Sequence, residues 1–181
     1  REGARKAGEK MIKFRLLLVD DEPNVLNSLK RCLGNPEYDI VTCDSPGAAM
    51  KYAKTGYFDL MICDYVLGSG ENGVDLIKSI SGESPDTVAI LLTGHADLSV
   101  ALEAINKVNL YKFIIKPWDN DDLKLTVKRA LEQKALIQEN KRLIGELKKK
   151  DDMIKEMEKK YPGITDVKRD DSGRVIIDED K

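Results

Sequence analysis

Long apolar runs are missing from this chain: none approaches the roughly 20 residues that a helix needs to cross a bilayer. That excludes a helical membrane span. An excess of one charge sign is missing too. A formal net charge of −2 leaves no global footprint for nucleic acid or for an acidic membrane surface. There are only 3 cysteines. Cys32, Cys43 and Cys63 show no metal-type spacing and sit in apolar or strand-like contexts, so they read as small core residues in a reducing, cytoplasmic setting. Nothing offers an HD-type metal motif, a Walker loop or a helix-turn-helix with a basic face, so no direct nucleic-acid binding is expected. Residues 1–12 are charged and lack an apolar centre, which reads as a flexible leader rather than a signal peptide, with Met11 as a native start.

What is present begins with a core. Hydrophobic residues make up 41% and charged residues 34%, and most of the charge excess lies after residue 130. One domain of typical size with an appendage is the simplest arrangement. Phe14 to Val19 is a short apolar run stopped by Asp20-Asp21-Glu22-Pro23. Pro23 fits the first turn of a helix, and Val25, Leu26, Leu29, Cys32 and Leu33 recur at helical spacing until Gly34. Tyr38 to Cys43 reads as a second strand, and Ser45-Pro46 opens a second helix closed by Gly56. Phe58 to Cys63 is a third strand, apolar enough to be buried on both faces. Val74, Leu76, Ile77 and Ile80 mark a third helix, Thr87 to Leu92 a fourth strand, and Leu98, Ala101, Leu102 and Ile105 a fourth helix. Leu110 to Ile115 is a fifth strand, and a fifth helix starts near Asp119. Five alternations predict a parallel sheet with helices on both faces.

The fifth helix has no obvious stop. From Leu123 to about Lys160 there is no proline and one glycine, Gly145. Leu136, Asn140, Leu143, Leu147, Lys150, Ile154, Met157 and Tyr161 are separated alternately by four and three residues, a heptad seam interrupted by Lys150. Asn140 on an a-type position suits a parallel two-stranded register. A coiled coil over 135–161 is therefore expected, with a solvated single helix as the alternative. Pro162-Gly163 ends the helix, and Ile164 to Arg169 with Arg174 to Ile177 flank a turn-forming Asp170-Asp171-Ser172-Gly173. A β-hairpin tail over 162–181 is possible on that pattern, although a lone hairpin is marginal.

Four strand ends carry polar residues out of keeping with packing: Asp20-Asp21 after the first, Asp64 after the third, Thr93 after the fourth and Lys116 after the fifth. In a parallel sheet all four lie on the carboxyl edge, where open α/β folds place their chemistry. Carboxylates brought together repel by about 4 kcal/mol per pair at 4 Å and an effective dielectric near 20. Lys116 or a divalent cation with oxygen ligands would offset that. Magnesium suits such a site, and a hydroxyl and an ammonium suit the oxygens of a phosphoryl group. Scattered turn and capping residues explain any one position, but not all four together.

The segments Leu17-Leu18-Val19-Asp20-Asp21-Glu22, Asp59-Leu60-Met61-Ile62-Cys63-Asp64, Leu91-Leu92-Thr93-Gly94 and Phe113-Ile114-Ile115-Lys116-Pro117-Trp118 resemble, in order and spacing, the receiver domain of a bacterial two-component response regulator. The resemblance covers residues 13–134. It implies a flavodoxin-like α/β fold, a doubly wound (βα)5 parallel sheet of strand order 2-1-3-4-5, and aspartyl-phosphate chemistry with Mg2+. Asp64 then matches the acceptor of a phosphoryl group from a sensor histidine kinase or phosphotransfer protein. Asp21 and Asp64 match direct metal ligands, Asp20 acts largely through water, and the Val66 carbonyl completes the shell. Lys116 matches the phosphoryl-pairing lysine, Lys116-Pro117 the family's cis peptide, and Thr93 with Phe113 the switch pair. The implied function is a signalling switch, not an enzyme beyond its own phosphorylation and dephosphorylation, and the heptad seam predicts that it acts through a parallel homodimer.

One stretch departs from the family. The proline usual four residues after the acceptor is Gly68, and the glycine usual at eight is Gly73, nine residues on, so the loop is one residue longer. Val66 and His95 occupy positions that tune hydrolysis in this family, and an apolar Val66 predicts a slowly hydrolysing phosphoryl group. His95 reads as an exposed loop residue, a ligand or general base being the alternative. Other readings stay open: a metal-dependent flavodoxin-like phosphatase with Asp64 as nucleophile, or a regulatory fragment of a cyclic-di-GMP phosphodiesterase, whose receivers are similar around Thr93-Gly94-His95 and Tyr111 to Trp118. The Thr93–Phe113 pair, with no separate substrate lobe, favours the switch.

Overall fold

Leu16, Leu17, Leu18 and Val19 are all fully buried in β1 (Phe14–Val19), which a strand achieves only when both faces of its sheet are covered. The computed structural model describes residues 14–68, 70, 72–94 and 110–162. β1 is followed by β2 (Tyr38–Cys43), β3 (Leu60–Asp64), β4 (Val88–Thr93) and β5 (Leu110–Ile115). They form one five-stranded sheet, every pair parallel, in the order β2-β1-β3-β4-β5. That is the flavodoxin-like order that the resemblance to receiver domains implies.

The period-2 alternation of strands divides the core in two. Leu17, Val19, Met61, Cys63 and Leu91 pack on one side with Ala49, Ala53, Val74, Ile77 and Ile80. Leu16, Leu18, Ile62, Ile90 and Leu92 pack on the other with Leu26, Leu29, Leu123, Val127 and Ala130. These helical residues belong to α1 (Pro23–Cys32), α2 (Pro46–Thr55), α3 (Gly73–Glu83) and the long α4 (Asn120–Lys160). Proline opens α1 and α2, where its missing N–H and preset φ cost nothing. Asn72 caps α3 by accepting the Asp75 N–H at 2.8 Å. Asp119 plays the same part for α4, its Oδ1 accepting the Asp121 and Asp122 N–H groups at 2.9 and 3.0 Å.

The third strand starts later than the apolar run suggests, at Leu60 rather than Phe58. Phe58 is buried, yet its carbonyl accepts from the side chains of Thr87 and Lys134 instead of a neighbouring strand. Asp64 ends β3 as its last residue, and Thr93 likewise ends β4. The expected leader, the fourth helix over Leu98 to Ile105, His95 and the tail hairpin lie outside the described residues.

The chain divides into two units, Arg1–Ala135 and Leu136–Lys181. In the second, the described chain is helical to Lys160. Leu136, Leu143, Leu147, Ile154 and Met157 of the expected seam are all exposed, and so are Ile137 and Ile144 beside it. Arg142 bridges Glu139 and Glu146 one turn to either side.

Candidate functional site

The carboxyl edge of the sheet gathers the polar strand ends. β1 and β3 lie side by side, with Val19 beside Cys63, so the residues that follow, Asp20 and Asp64, emerge together. β5 then brings in Lys116, whose N–H donates to the Thr93 carbonyl at 2.8 Å. The Lys116–Pro117 peptide is cis.

Asp20 is fully buried and both of its carboxylate oxygens are used. Oδ2 accepts from Lys116 Nζ at 2.8 Å, and Oδ1 from the Glu22 N–H at 2.9 Å. Asp64, almost as buried, has Oδ1 3.0 Å from the same ammonium and accepts the Tyr65 N–H at 2.9 Å. Lys116 is thus shared by two carboxylates. Asp21, the neighbour of Asp20, is exposed, and oxygens of Asp20, Asp21 and Asp64 all lie within 4.8 Å of one another.

The electrostatics follow from that crowding. Burial pushes the Asp64 carboxyl above the usual carboxylate range and Asp20 adds to the rise, against the pull of the Lys116 ammonium. For Lys116 burial works to lower the pKa, but the hydrogen bonds and charges of Asp20 and Asp64 outweigh it and the net direction is up. The lysine stays protonated and holds apart the repulsion of two buried carboxylates.

The donor set fits a hard divalent cation. Three carboxylates offer oxygen only, and one of them is open to solvent, leaving room for the waters that magnesium retains. The loop after β3 folds back on itself through an antiparallel bridge between Val66 and Asn72. The Gly73 N–H closes it on the Tyr65 carbonyl at 2.7 Å. This is the non-hydrogen-bonded kind of pair, in which Val66 and Asn72 do not exchange backbone hydrogen bonds with each other.

Thr93 is fully buried, and its hydroxyl donates to the Gly94 carbonyl at 3.2 Å. Thr93 pairs with Ile115 and Leu91 with Phe113. Thr93 and Phe113 therefore lie one pleat apart on neighbouring strands, on the same face of the sheet. Phe113 is half-buried and packs against the core on that face.

Sequence reasoning missed a second polar cluster at the other end of β3. Asp59 and Lys134 form a buried ion pair of 2.8 Å. The signal was available: Lys134 continues the Leu123, Val127, Ala130, Leu131 stripe, a charge at core spacing.

The profile of the response regulator receiver domain matches residues 16–128, more than half of the chain. The chain belongs to the response regulator receiver family. Over 138 residues this receiver is 30% identical to the alginate biosynthesis transcriptional regulatory protein AlgB of Pseudomonas putida, a stretch that covers 76% of this chain and 30% of that protein. The receiver thus spans under a third of that relative. Among solved structures it is similar to the signal receiver domain of an HD domain-containing protein from Pseudomonas fluorescens, with a TM-score of 0.64 at 31% identity over 68% of this chain and 98% of the other. It is similar as well to a structure described as adenylate cyclase from Rhodopirellula baltica, with a TM-score of 0.68 at 31% identity over 74% of this chain and 98% of the other. The family is a regulatory one.

Proposed function

We propose that this receiver is a phosphorylation-dependent switch in which Asp64 takes a phosphoryl group from a phosphohistidine on a sensor kinase or phosphotransfer protein. The observation that carries the reading is the position of Asp64: a nearly buried carboxylate ending β3, 3.0 Å from the Lys116 ammonium and clustered with Asp20 and Asp21. An Asp64 carboxylate oxygen attacks phosphorus in line. The new P–O bond forms as the P–N bond breaks, and the imidazole leaves with the electron pair of that bond. Magnesium, held by Asp20, Asp21, Asp64 and the Val66 carbonyl, would supply positive charge to the phosphoryl oxygens. Once Asp64 is an acyl phosphate, Lys116 exchanges its carboxylate partner for a phosphoryl oxygen.

The phosphoryl group brings about −1.5 to −2 charge at neutral pH. The Thr93 hydroxyl leaves the Gly94 carbonyl for a phosphoryl oxygen, and the Phe113 ring fills the space behind it. Phe113 has no hydroxyl, so packing alone stabilises its inward position. The output is a change in a parallel homodimer formed through Leu136, Asn140, Leu143, Leu147, Ile154 and Met157, read by an output partner or a further module in the cytoplasm. The exposure of that whole stripe supports the reading.

Mass spectrometry after incubation with acetyl phosphate and MgCl2 tests it. One phosphoryl group per chain, absent from Asp64→Asn, is expected. Multiple turnovers on unrelated phosphoesters would instead make the protein a hydrolase.

A further inference from the structure

We infer that Gly68 is a positioning residue for the cation: it backs the Asp21 carboxylate, and any side chain in its place displaces that carboxylate from the cluster. The inference rests on the metal-assisted reading above. An ideal Cβ built on Gly68 would stand 2.6 Å from Asp21 Oδ2, with Asp21 Cγ and Cβ at 3.4 and 3.6 Å. No real Cβ tolerates the first of these distances, so one of the two must move. The turn that carries Gly68 is tied down on both sides. The Gly70 N–H donates to the Leu67 carbonyl at 3.1 Å, Leu67 is buried, and the Val66–Asn72 bridge closes the loop behind them. Asp21 is the mobile party. It is exposed, and among the described residues no hydrogen bond or ion pair holds its carboxylate. Asp20 and Asp64, by contrast, are each held by Lys116 and by a backbone N–H.

The nearby glycines have different reasons to be glycine. A Cβ on Gly73 would fall 1.9 Å from the Asp64 carbonyl oxygen, a collision of backbone with backbone that the fold cannot relieve. Gly70 has open space around it but a φ of +78°, which L-residues avoid. Gly68 alone among these meets the far end of a flexible side chain. Substitution there is relieved by swinging Asp21 aside, so the fold survives and the ligand set is broken.

The test is a titration of the full chain with MgCl2, followed by amide NMR shifts, on the parent, Gly68→Ala, Gly68→Ser and the control Gly47→Ala, which meets nothing within 4 Å. The Gly68 variants are expected to bind Mg2+ about tenfold more weakly, the usual lower bound for disturbing the support of a ligand. Their thermal midpoints should stay with the parent's, and Gly47→Ala should keep the parent's affinity. Unchanged Mg2+ affinity in both Gly68 variants overturns the inference, and so does weakened binding that only accompanies a lowered thermal midpoint. A parent that binds no Mg2+ overturns the metal-assisted reading itself.

Discussion

Lys134 Nζ lies 2.8 Å from Asp59 Oδ1 and 3.2 Å from the Phe58 carbonyl oxygen, at the opposite end of β3 from Asp64. The other oxygen of Asp59 accepts the Arg15 N–H at 2.8 Å. With side-chain exposures of 5% and 11%, neither charge is solvated. Each therefore depends on the other, and on the backbone groups of β1 and of the residues entering β3.

Lys134→Met leaves a buried carboxylate without its cation. Breaking one side of such a pair costs about 3–5 kcal/mol, whereas removing both charges is close to neutral. Urea denaturation should show a loss of about 3 kcal/mol for Lys134→Met. Most of it should return in Asp59→Asn with Lys134→Met, since the asparagine oxygen still accepts from Arg15. Equal losses in the single and double variants would show that the pair is not what holds this turn of α4.

At the other end of β3, Lys116 is the only ammonium found against Asp20 and Asp64 among the described residues. In Lys116→Met the two carboxylates face each other uncompensated, so the variant should be less stable by about 2 kcal/mol, within the range for an unpaired buried charge. A cation then substitutes for the lysine, and binding to the folded state alone stabilises it. The thermal midpoint of Lys116→Met should rise with MgCl2 by more than the parent's. A midpoint indifferent to MgCl2 would count against a cation site formed by these aspartates.

The thiols give a pH prediction of definite sign. Burial, with a smaller push from Asp44, raises Cys43 to about 11, and burial raises Cys63 as well. In the unfolded chain both thiols ionise near the ordinary value of 9.0. Between pH 9 and 11 the unfolded state therefore releases protons that the folded state keeps. Stability conferred by the neutral thiols is complete below pH 9 and declines as pH rises towards 11. Equilibrium unfolding across that range should show the decline, and Cys43→Ala should soften it. At neutral pH only the partly exposed Cys32 should react with iodoacetamide in the folded protein.

How much of this was legible beforehand depends on the kind of signal. The strands followed from apolar runs alternating with helical spacing, because one core face per element imposes that periodicity, whereas their order in the sheet was implied by the resemblance to receiver domains. Asp20, Asp64, Thr93 and Lys116 stood out because each interrupts an apolar run at a strand end, and a parallel sheet sends all such ends to one edge. Lys134 did not stand out, although it continues the buried stripe of α4, because a lysine in a charged helix passes for surface. The start of β3 differs for a related reason: Phe58 looks like a strand residue, but its carbonyl goes to the Thr87 and Lys134 side chains, while Asp59, whose backbone does bond Arg15 and Val88, gives its carboxylate to Arg15 and Lys134. The contact between Gly68 and Asp21 was out of reach, since nothing in the order of residues says how closely two loops approach.

Val66 is 54% exposed beside the acceptor. Its isopropyl group offers no hydrogen bond to orient an attacking water, so the phosphoryl group on Asp64 should persist for minutes or longer with magnesium present. Val66→Asn, which supplies an amide, should shorten that lifetime. Decay of the phosphorylated protein, followed by phosphate release, decides the matter, and a parent lifetime of seconds would sink the idea.

The heptad stripe on α4 makes the last prediction. Leu143, Leu147, Ile154 and Met157 are each 43–62% exposed, apolar area that a second copy would remove from water. Asn140 sits among them as the one amide. In a parallel pair the two Asn140 side chains meet and satisfy each other, so the residue selects that register at a cost in stability. Asn140→Leu should therefore give a more stable but less uniform assembly, in which light scattering finds trimers or tetramers beside dimers. Leu147→Lys should instead shift the chain towards monomer while leaving acetyl-phosphate labelling of Asp64 intact. Asn140→Leu that merely stabilised a uniform dimer would show that the amide does not select the register. A monomeric parent at all concentrations would leave α4 a single solvated helix and send the signal elsewhere.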